Sequence, residues 1–196
     1  MRVLVELTLA KIPHLVKTVN LIESQVLSIE NKHFPCYRLV VSGKLKSRAE
    51  LQLIRAEAKR QGRSVVFTNG CFDLLHRGHV HMLRAAKACG DILIVALNSD
   101  RSVKALKGPS RPVLAESDRA ELIAAMEMVN YVVLFDEPDP YSLIAALNPD
   151  VLVKGGDWSA GKIIGADVVE QNGGRVVVVP YLKGFSTSEL IERIRS

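Results

Sequence analysis

The chain is poor in the residues that hold small extracellular or metal-built domains together. Only three cysteines occur, Cys36, Cys71 and Cys89, and no two form a C-x-x-C pair. That excludes a disulfide framework and a zinc knuckle and suits a reducing, cytoplasmic compartment. Aromatic residues make up 5% of the chain, with one tryptophan, Trp158. No apolar run reaches the roughly 18 to 20 residues that span a bilayer. The opening MRVLVELTLAKIPHLV is interrupted by Glu6, Lys11 and His14, and no small-residue cleavage site follows, so it does not read as a signal peptide. Basic residues outnumber acidic ones by only 26 to 21. The nearest approach to a basic cluster, Arg55, Lys59, Arg60 and Arg63, reads as the solvated face of a helix, so a nucleic-acid partner is not indicated. Two phosphate-binding signatures are missing as well. Neither G-x-x-x-x-G-K-[ST] nor G-x-G-x-x-G occurs, which excludes by motif a P-loop kinase and a dinucleotide dehydrogenase.

What the chain does have is a regular alternation. It is 48% hydrophobic and 24% charged, with glycine and proline placed singly between periodic segments, as in a folded domain. SRAELQLIRAEAKRQG opens with the capping box Ser47 and Glu50, carries Leu51, Ile54 and Ala58 on one face and stops at Gly62, which predicts a helix. The apolar run Ser64–Thr68 predicts a buried strand. The units then alternate: a helix over Gly78–Ala88, the strand DILIVAL, a capped helix over Ser117–Met128, the strand YVVLF and a short helix over Tyr141–Leu147. The strand VLVK, a helix over Ala166–Gln171, the strand RVVVV and a final helix from Ser186 complete the series. Apolar strands separated by helices predict an α/β fold, a Rossmann-like parallel sheet of about five strands with helices on both faces, over residues 46–196. Residues 1–45 have no clean period and end in the strand-like YRLVVSG; they are set apart as an N-terminal extension of unknown role.

Parallel sheets of this kind bind ligands beyond the carboxyl ends of their strands, where the strand order reverses. The first segment in that position is NGCFDLLHRGH, in which His76 and His79 stand three residues apart with Gly78 directly before the second. Two such imidazoles could ligate a metal, pack in a core or hold an anion. A zinc site needs three or four ligands, and no second cluster completes one. A loop at a strand end faces solvent or ligand rather than a core. Gly70 lets the chain turn off its strand, Gly78 lets backbone approach a ligand, and the helix beginning there offers N–H groups and partial positive charge. The spacing therefore predicts a polyphosphate site, with Asp73 orienting the loop.

Other strand-end segments carry further candidates. Lys104 and Lys107 lie in a stretch that Gly108, Pro109 and Pro112 mark as a loop; the alternative is solvated lysines. Arg119 sits in the first turn of a helix, where a cation opposes the dipole, which points to a ligand. Gly156, Asp157 and Trp158 combine close approach, an acceptor and a flat ring, although Trp158 also suits ordinary packing. Ser186, Thr187 and Ser188 begin the last helix, as an anion site or as a plain Ser186 and Glu189 capping box.

GCFDLLHRGH resembles the G-x-F-D-x-x-H-x-G-H signature of the nucleotidyltransferase superfamily. Together with FTNGCFDLLHRGHVHML, NSDRSVKALKGPSRPV, DVLVKGGDW and GFSTSELI, it makes the stretch from about Gly43 to Arg195 similar to the D-glycero-β-D-manno-heptose 1-phosphate adenylyltransferases. These form the C-terminal half of the bifunctional heptose kinase/adenylyltransferase, whose kinase half this chain is too short to hold. The resemblance implies transfer of AMP from ATP to the heptose 1-phosphate, giving ADP-heptose, a lipopolysaccharide precursor, and pyrophosphate. It implies catalytic roles for His76, His79 and Lys104. It implies nucleotide contacts at Asn69, Gly70, Phe72, Gly78, Arg119, Gly156, Asp157, Trp158, Ser186, Thr187 and Ser188, and acceptor contacts at Lys107 and Arg111. Mg²⁺ is expected on the ATP phosphates without dedicated protein ligands. The expected partners are ATP and a sugar 1-phosphate, with no nucleic acid or membrane, and a homodimer is the default. One departure is PYLKG, where some relatives carry an arginine and Lys183 must substitute. A glycerol-3-phosphate cytidylyltransferase, a phosphopantetheine adenylyltransferase and a non-catalytic nucleotide-binding module remain open as alternatives.

Overall fold

The structure, a computed structural model, describes residues 43–156, 163–182 and 184–195. The strands β1 (Val65–Gly70), β2 (Ile92–Asn98), β3 (Tyr131–Phe135), β4 (Val151–Gly155) and β5 (Arg175–Val179) form one parallel sheet in the order β3-β2-β1-β4-β5. Around it lie α1 (Arg48–Arg60), α2 (Arg77–Lys87), α3 (Asp100–Lys107), α4 (Glu116–Ala124), α5 (Tyr141–Leu147), α6 (Ala166–Gln171) and α7 (Thr187–Arg195).

The strands read as apolar runs because both faces of the sheet are covered. Side chains alternate across the pleat, so Val66, Leu93, Val95 and Val153 pack with Leu83 and Ala86 of α2 and with Ala120 and Ile123 of α4. Their neighbours Phe67, Ile94 and Leu152 pack on the other face with Leu51 of α1, with Leu143 and Ile144 of α5 and with Val169 of α6. The capping box of α1 forms as predicted: Glu50 N–H donates to Ser47 Oγ at 3.3 Å, and Ser47 N–H donates to Glu50 Oε2 at 2.8 Å.

Two elements differ from the sequence expectation. The stretch holding Lys104 and Lys107 is helical, not a loop. Ser99 Oγ caps it by accepting from Ser102 N–H at 3.1 Å, and the helix ends at Gly108, whose φ of +95° suits only glycine. The next helix, α4, starts one residue early at Glu116, has no side-chain cap, and ends at Ala124 instead of Met128. Ser117 does not cap it because its hydroxyl turns to Asp118, while Glu116 accepts from Asp100 N–H at 2.8 Å and so joins the starts of α3 and α4.

Contact with the sheet begins before the predicted boundary. Lys46 N–H donates to Val132 O at 2.8 Å and Lys44 Nζ to Met126 O at 3.1 Å, so residues 44–46 already belong to the domain. Residues 1–42 lie outside the described residues. Among the described residues no helix is long and apolar enough to cross a membrane. From β1 the chain builds outward through β2 and β3, then returns to place β4 on the other side of β1. The reversal point lies beyond Gly70 and Gly155, the last residues of β1 and β4.

Candidate active site

A cleft of about 590 Å³ opens at that reversal point. Its walls are the β1–α2 loop, the start of α2, the segment from Lys107 to Arg111, the end of β4 and the chain from Val179 into α7. The sequence candidates Asn69, Gly70, Phe72, His76, Gly78, His79, Lys107, Arg111, Ser186, Thr187 and Ser188 all line it.

The two histidines are arranged by the helix they begin. His76 is the N-cap of α2 and accepts from Gly78 N–H through Nδ1 at 3.1 Å, while His79 Nδ1 accepts from His76 N–H at 3.3 Å. This is a capping box in which imidazoles replace the usual serine and glutamate, and it explains the spacing of three. The rings stack with centroids 3.8 Å apart. Gly78 is required by the same geometry, because a Cβ there would sit 2.9 Å from the His76 ring.

Since each Nδ1 accepts, the proton of each neutral ring is on Nε2, leaving an Nε2–H donor on each ring. Burial pushes His79 down to about 4, with His76 adding to the shift. His76 is also lowered by burial, partly offset by Glu189. The pair thus consists of neutral, oriented donors at pH 7. One part of the sequence reading changes accordingly: the α2 end is not a bare row of N–H groups, because His76 takes up Gly78 N–H and His79 takes up His76 N–H.

The loop is held from behind by two buried charges. Asp73 is 1% exposed and accepts from Val113 N–H at 2.8 Å, Leu114 N–H at 3.0 Å and Arg111 Nε at 2.6 Å. Burial pushes its carboxyl upward, but these donors outweigh that and hold it below the ordinary aspartate value. Arg111 therefore lines the cleft as the partner of Asp73. Phe72, between them and the β1 end, has a left-handed φ of +45°, a strained conformation for a bulky residue, and its ring lies over Gly70, where an added Cβ would be 3.1 Å away.

Arg119 corrects its expectation. It is fully buried and donates to Leu114 O, Cys71 O, Asn98 O and Asp100 Oδ1, at 2.8 Å and 2.9 Å for the last two. Its unfavourable place against the helix dipole is offset by these internal acceptors, so it clamps the loops after β1 and β2 instead of facing a ligand. Lys104 is a second correction: it is exposed on α3 and does not line the cleft, whereas Lys107, at the helix end, does. Gly156 is a third. It lies under the Tyr181 ring, 2.8 Å from where its Cβ would be, and Gly155 takes its place in the cleft wall. Asp157, Trp158 and Lys183 lie outside the described residues.

On the opposite wall Ser186 Oγ accepts from Glu189 N–H at 3.1 Å as the cap of α7, and Thr187 Oγ1 donates to Leu74 O at 3.2 Å, joining α7 to the histidine loop. Sequence reasoning passed over Lys154 of β4, whose Nζ donates to Asn69 Oδ1 at 2.6 Å and which burial pushes down to about 8. Its signal was present: one lysine inside an otherwise apolar strand. Among the described residues no group of three or more His, Cys, Asp or Glu side chains could hold a metal ion.

Oriented neutral donors, hydroxyls and cations turned toward one space at the reversal point of a parallel sheet define a nucleotide-binding α/β enzyme. Residues 67–193 match the cytidylyltransferase-like family, and the chain belongs to it; it is a nucleotidyltransferase. It is 52% identical over 151 residues to the bifunctional protein HldE of Trichlorobacter lovleyi, covering 77% of this chain and 31% of that protein. It is 44% identical over 178 residues to bifunctional protein HldE of Syntrophotalea carbinolica, covering 90% of this chain and 36% of that protein. The chain thus spans about a third of the length of these curated relatives. A solved structure of a lipopolysaccharide core biosynthesis protein from Thermoplasma volcanium is 30% identical with a TM-score of 0.51, covering 63% of this chain and 100% of that one. A pantoate-β-alanine ligase from Francisella tularensis, 13% identical with a TM-score of 0.50 over 77% of this chain and 76% of that one, shares the fold.

Proposed function

We propose that this nucleotidyltransferase transfers AMP from ATP to D-glycero-β-D-manno-heptose 1-phosphate. An oxygen of the sugar phosphate attacks the α-phosphorus of ATP, the bond from that phosphorus to the α,β-bridging oxygen breaks, and pyrophosphate leaves with the bonding pair. ADP-heptose is the other product. The observation that carries the reading is the mutual capping of His76 and His79, which presents two Nε2–H donors without the desolvation cost of a cation. Donors fixed before the reaction stabilise charge gathering on the phosphate oxygens without reorganising. The Ser186 and Ser188 side chains line the same space and suit the β- and γ-phosphates, Thr187 being engaged by Leu74 O, while Lys107 and Arg111 suit the acceptor.

Mg²⁺ enters as the counter-ion of ATP. The carboxylates of the cleft wall are Asp73, engaged by Arg111 and two N–H groups, and Glu189, so the donor set fits a magnesium carried on phosphates and water and not a protein cage. The heptose acceptor is supported by the similarity to HldE proteins and by the loops LVKGGDW and GFSTS.

Pyrophosphate release measured with ATP and CTP against heptose 1-phosphate, glycerol 3-phosphate and phosphopantetheine tests the assignment. Turnover with ATP and the heptose is expected. Turnover with CTP and none with ATP gives the cytidylyl alternative, which the family description also accommodates, and no turnover with any pair gives a binding module. His76→Ala and His79→Ala are each expected to lower kcat by about 10²- to 10³-fold with an unchanged circular dichroism spectrum.

A further inference from the structure

Lys154 has no part in the reading so far. It lies in β4 behind Val151, Leu152 and Val153, all buried, on the strand next to β1. Its side chain is half-buried, yet among the described residues it forms no ion pair. The Cys71 thiol is the one group that raises its proton affinity, and burial pushes that thiol up, so it is neutral. Drawing a cation out of water with no anion beside it is unfavourable. A methionine would fill this space without that cost, so the fold does not require a lysine.

The contact with Asn69 has a direction. A lysine can only donate, so its bond to Oδ1 decides which way the amide is turned and leaves Nδ2 pointing elsewhere. Asn69 lines the cleft, and among the described residues its Nδ2 has no hydrogen-bond partner. Among the described residues, therefore, the cation without an anion and the donor without an acceptor lie at one place. Phe67 and Leu152, two residues before Asn69 and Lys154, face the core under α1 and α5, whereas α2, which carries the histidines, packs on the other face. By strand periodicity Asn69 and Lys154 leave the sheet on the side away from the histidine pair.

We propose that Lys154 is a positioning residue for the acceptor: it holds the Asn69 amide with its NH₂ group toward the cleft and lends that point positive charge, and the two seat the acceptor's phosphate. The assignment rests on the reading that a phosphorylated acceptor enters the cleft. An in-line displacement needs the attacking and leaving oxygens on opposite sides of the α-phosphorus. The histidines and the α7 hydroxyls serve the leaving side, and the Asn69 and Lys154 pair, across the strand ends, serves the attacking side.

The test uses the full chain and the variants Lys154→Met, Lys154→Arg and Asn69→Ala. Lys154→Met is expected to raise KM for the sugar phosphate by about 10- to 100-fold, the loss of a charge-assisted contact, with KM for ATP nearly unchanged and a thermal midpoint equal to or above that of the wild type. Lys154→Arg is expected to recover most of the loss. Adding Lys154→Met to Asn69→Ala is expected to cost less than it does alone, because one acts through the other. An equal rise in both KM values, a rise for ATP alone, no change, or a lowered midpoint with parallel loss of both substrates would each overturn the proposal. If the wild type transfers no nucleotide to any acceptor, the functional reading fails separately. Calorimetric titration of inorganic phosphate into protein saturated with a non-hydrolysable ATP analogue then decides: weaker binding to Lys154→Met supports the seat, and equal binding refutes it.

Discussion

At the scale of single residues the site is built from groups whose protonation is set by burial and by backbone donors. His79 takes up a proton at about 4 in the folded chain against 6.5 ordinarily. Between these values the unfolded chain binds more protons, so stability falls as pH drops from 6.5 toward 4. Thermal midpoints measured across that window should show the fall, and His79→Gln should flatten it. Asp73 acts in the same direction for a different reason, since its donors favour the charged form. Its lowered value means that its contribution is present above the ordinary aspartate value and is lost as pH falls below it. Asp73→Ala leaves Arg111 and two N–H groups without their acceptor and is expected to lower stability by about 3 to 5 kcal/mol, read from urea unfolding. The histidines and Gly78 were legible in the sequence because their contacts are local, within one loop and the helix it enters, whereas Asp73, read as a cap for nearby N–H groups, takes its donors from residues 111 to 114. Arg119 was misread, since its acceptors come from Cys71, Asn98 and Asp100, residues distant along the chain.

At the scale of elements, the start of α2 does two things: it ends a strand-to-helix turn and it sets the angle of two rings. Gly78→Ala tests their separation. Alanine favours helix over glycine, so the helical signal should hold, while its Cβ, 2.9 Å from the His76 ring, displaces the imidazole. A loss of about 10- to 100-fold in kcat is expected, as for a catalytic group moved by a fraction of an ångström to one ångström. Periodicity and caps located α1, α5, α6 and every strand to within a residue or two, because strands covered on both faces must be apolar. The pattern failed at α3. Glycine and prolines just past Lys107 drew the whole segment into a loop, although the Ser99 cap and Val103 were already helix signals. Lys104 was lost with it: the two lysines, three residues apart, differ by about 60° in direction and about 4.5 Å along the helix axis, and only Lys107, at the helix end, lines the cleft.

At the scale of the whole molecule, the cleft exists because the sheet reverses its order between β1 and β4, which parts the chain on either side of Gly70 and Gly155. Ligand binding across that opening joins the β1–α2 loop to α7. ATP at a hundred times its Kd should therefore stabilise the folded chain by about 2.7 kcal/mol and raise the unfolding midpoint by some 2 to 4 °C per kcal/mol for a chain of this size. CTP at the same concentration should raise it much less. Differential scanning fluorimetry with both nucleotides measures this. The amino-acid sequence by itself determined the alternation of strands and helices, the location of the loop between β1 and α2 and the spacing of its histidines. Each of these depends on residues within about a helical turn or a strand length of one another. Only the tertiary structure decided that Arg119 and Asp73 turn inward, that Lys107 and not Lys104 reaches the cleft, and that Lys154 meets Asn69. Those outcomes depend on which loop ends share the floor of one cleft, and strand order, a long-range property of the packed sheet, settles that.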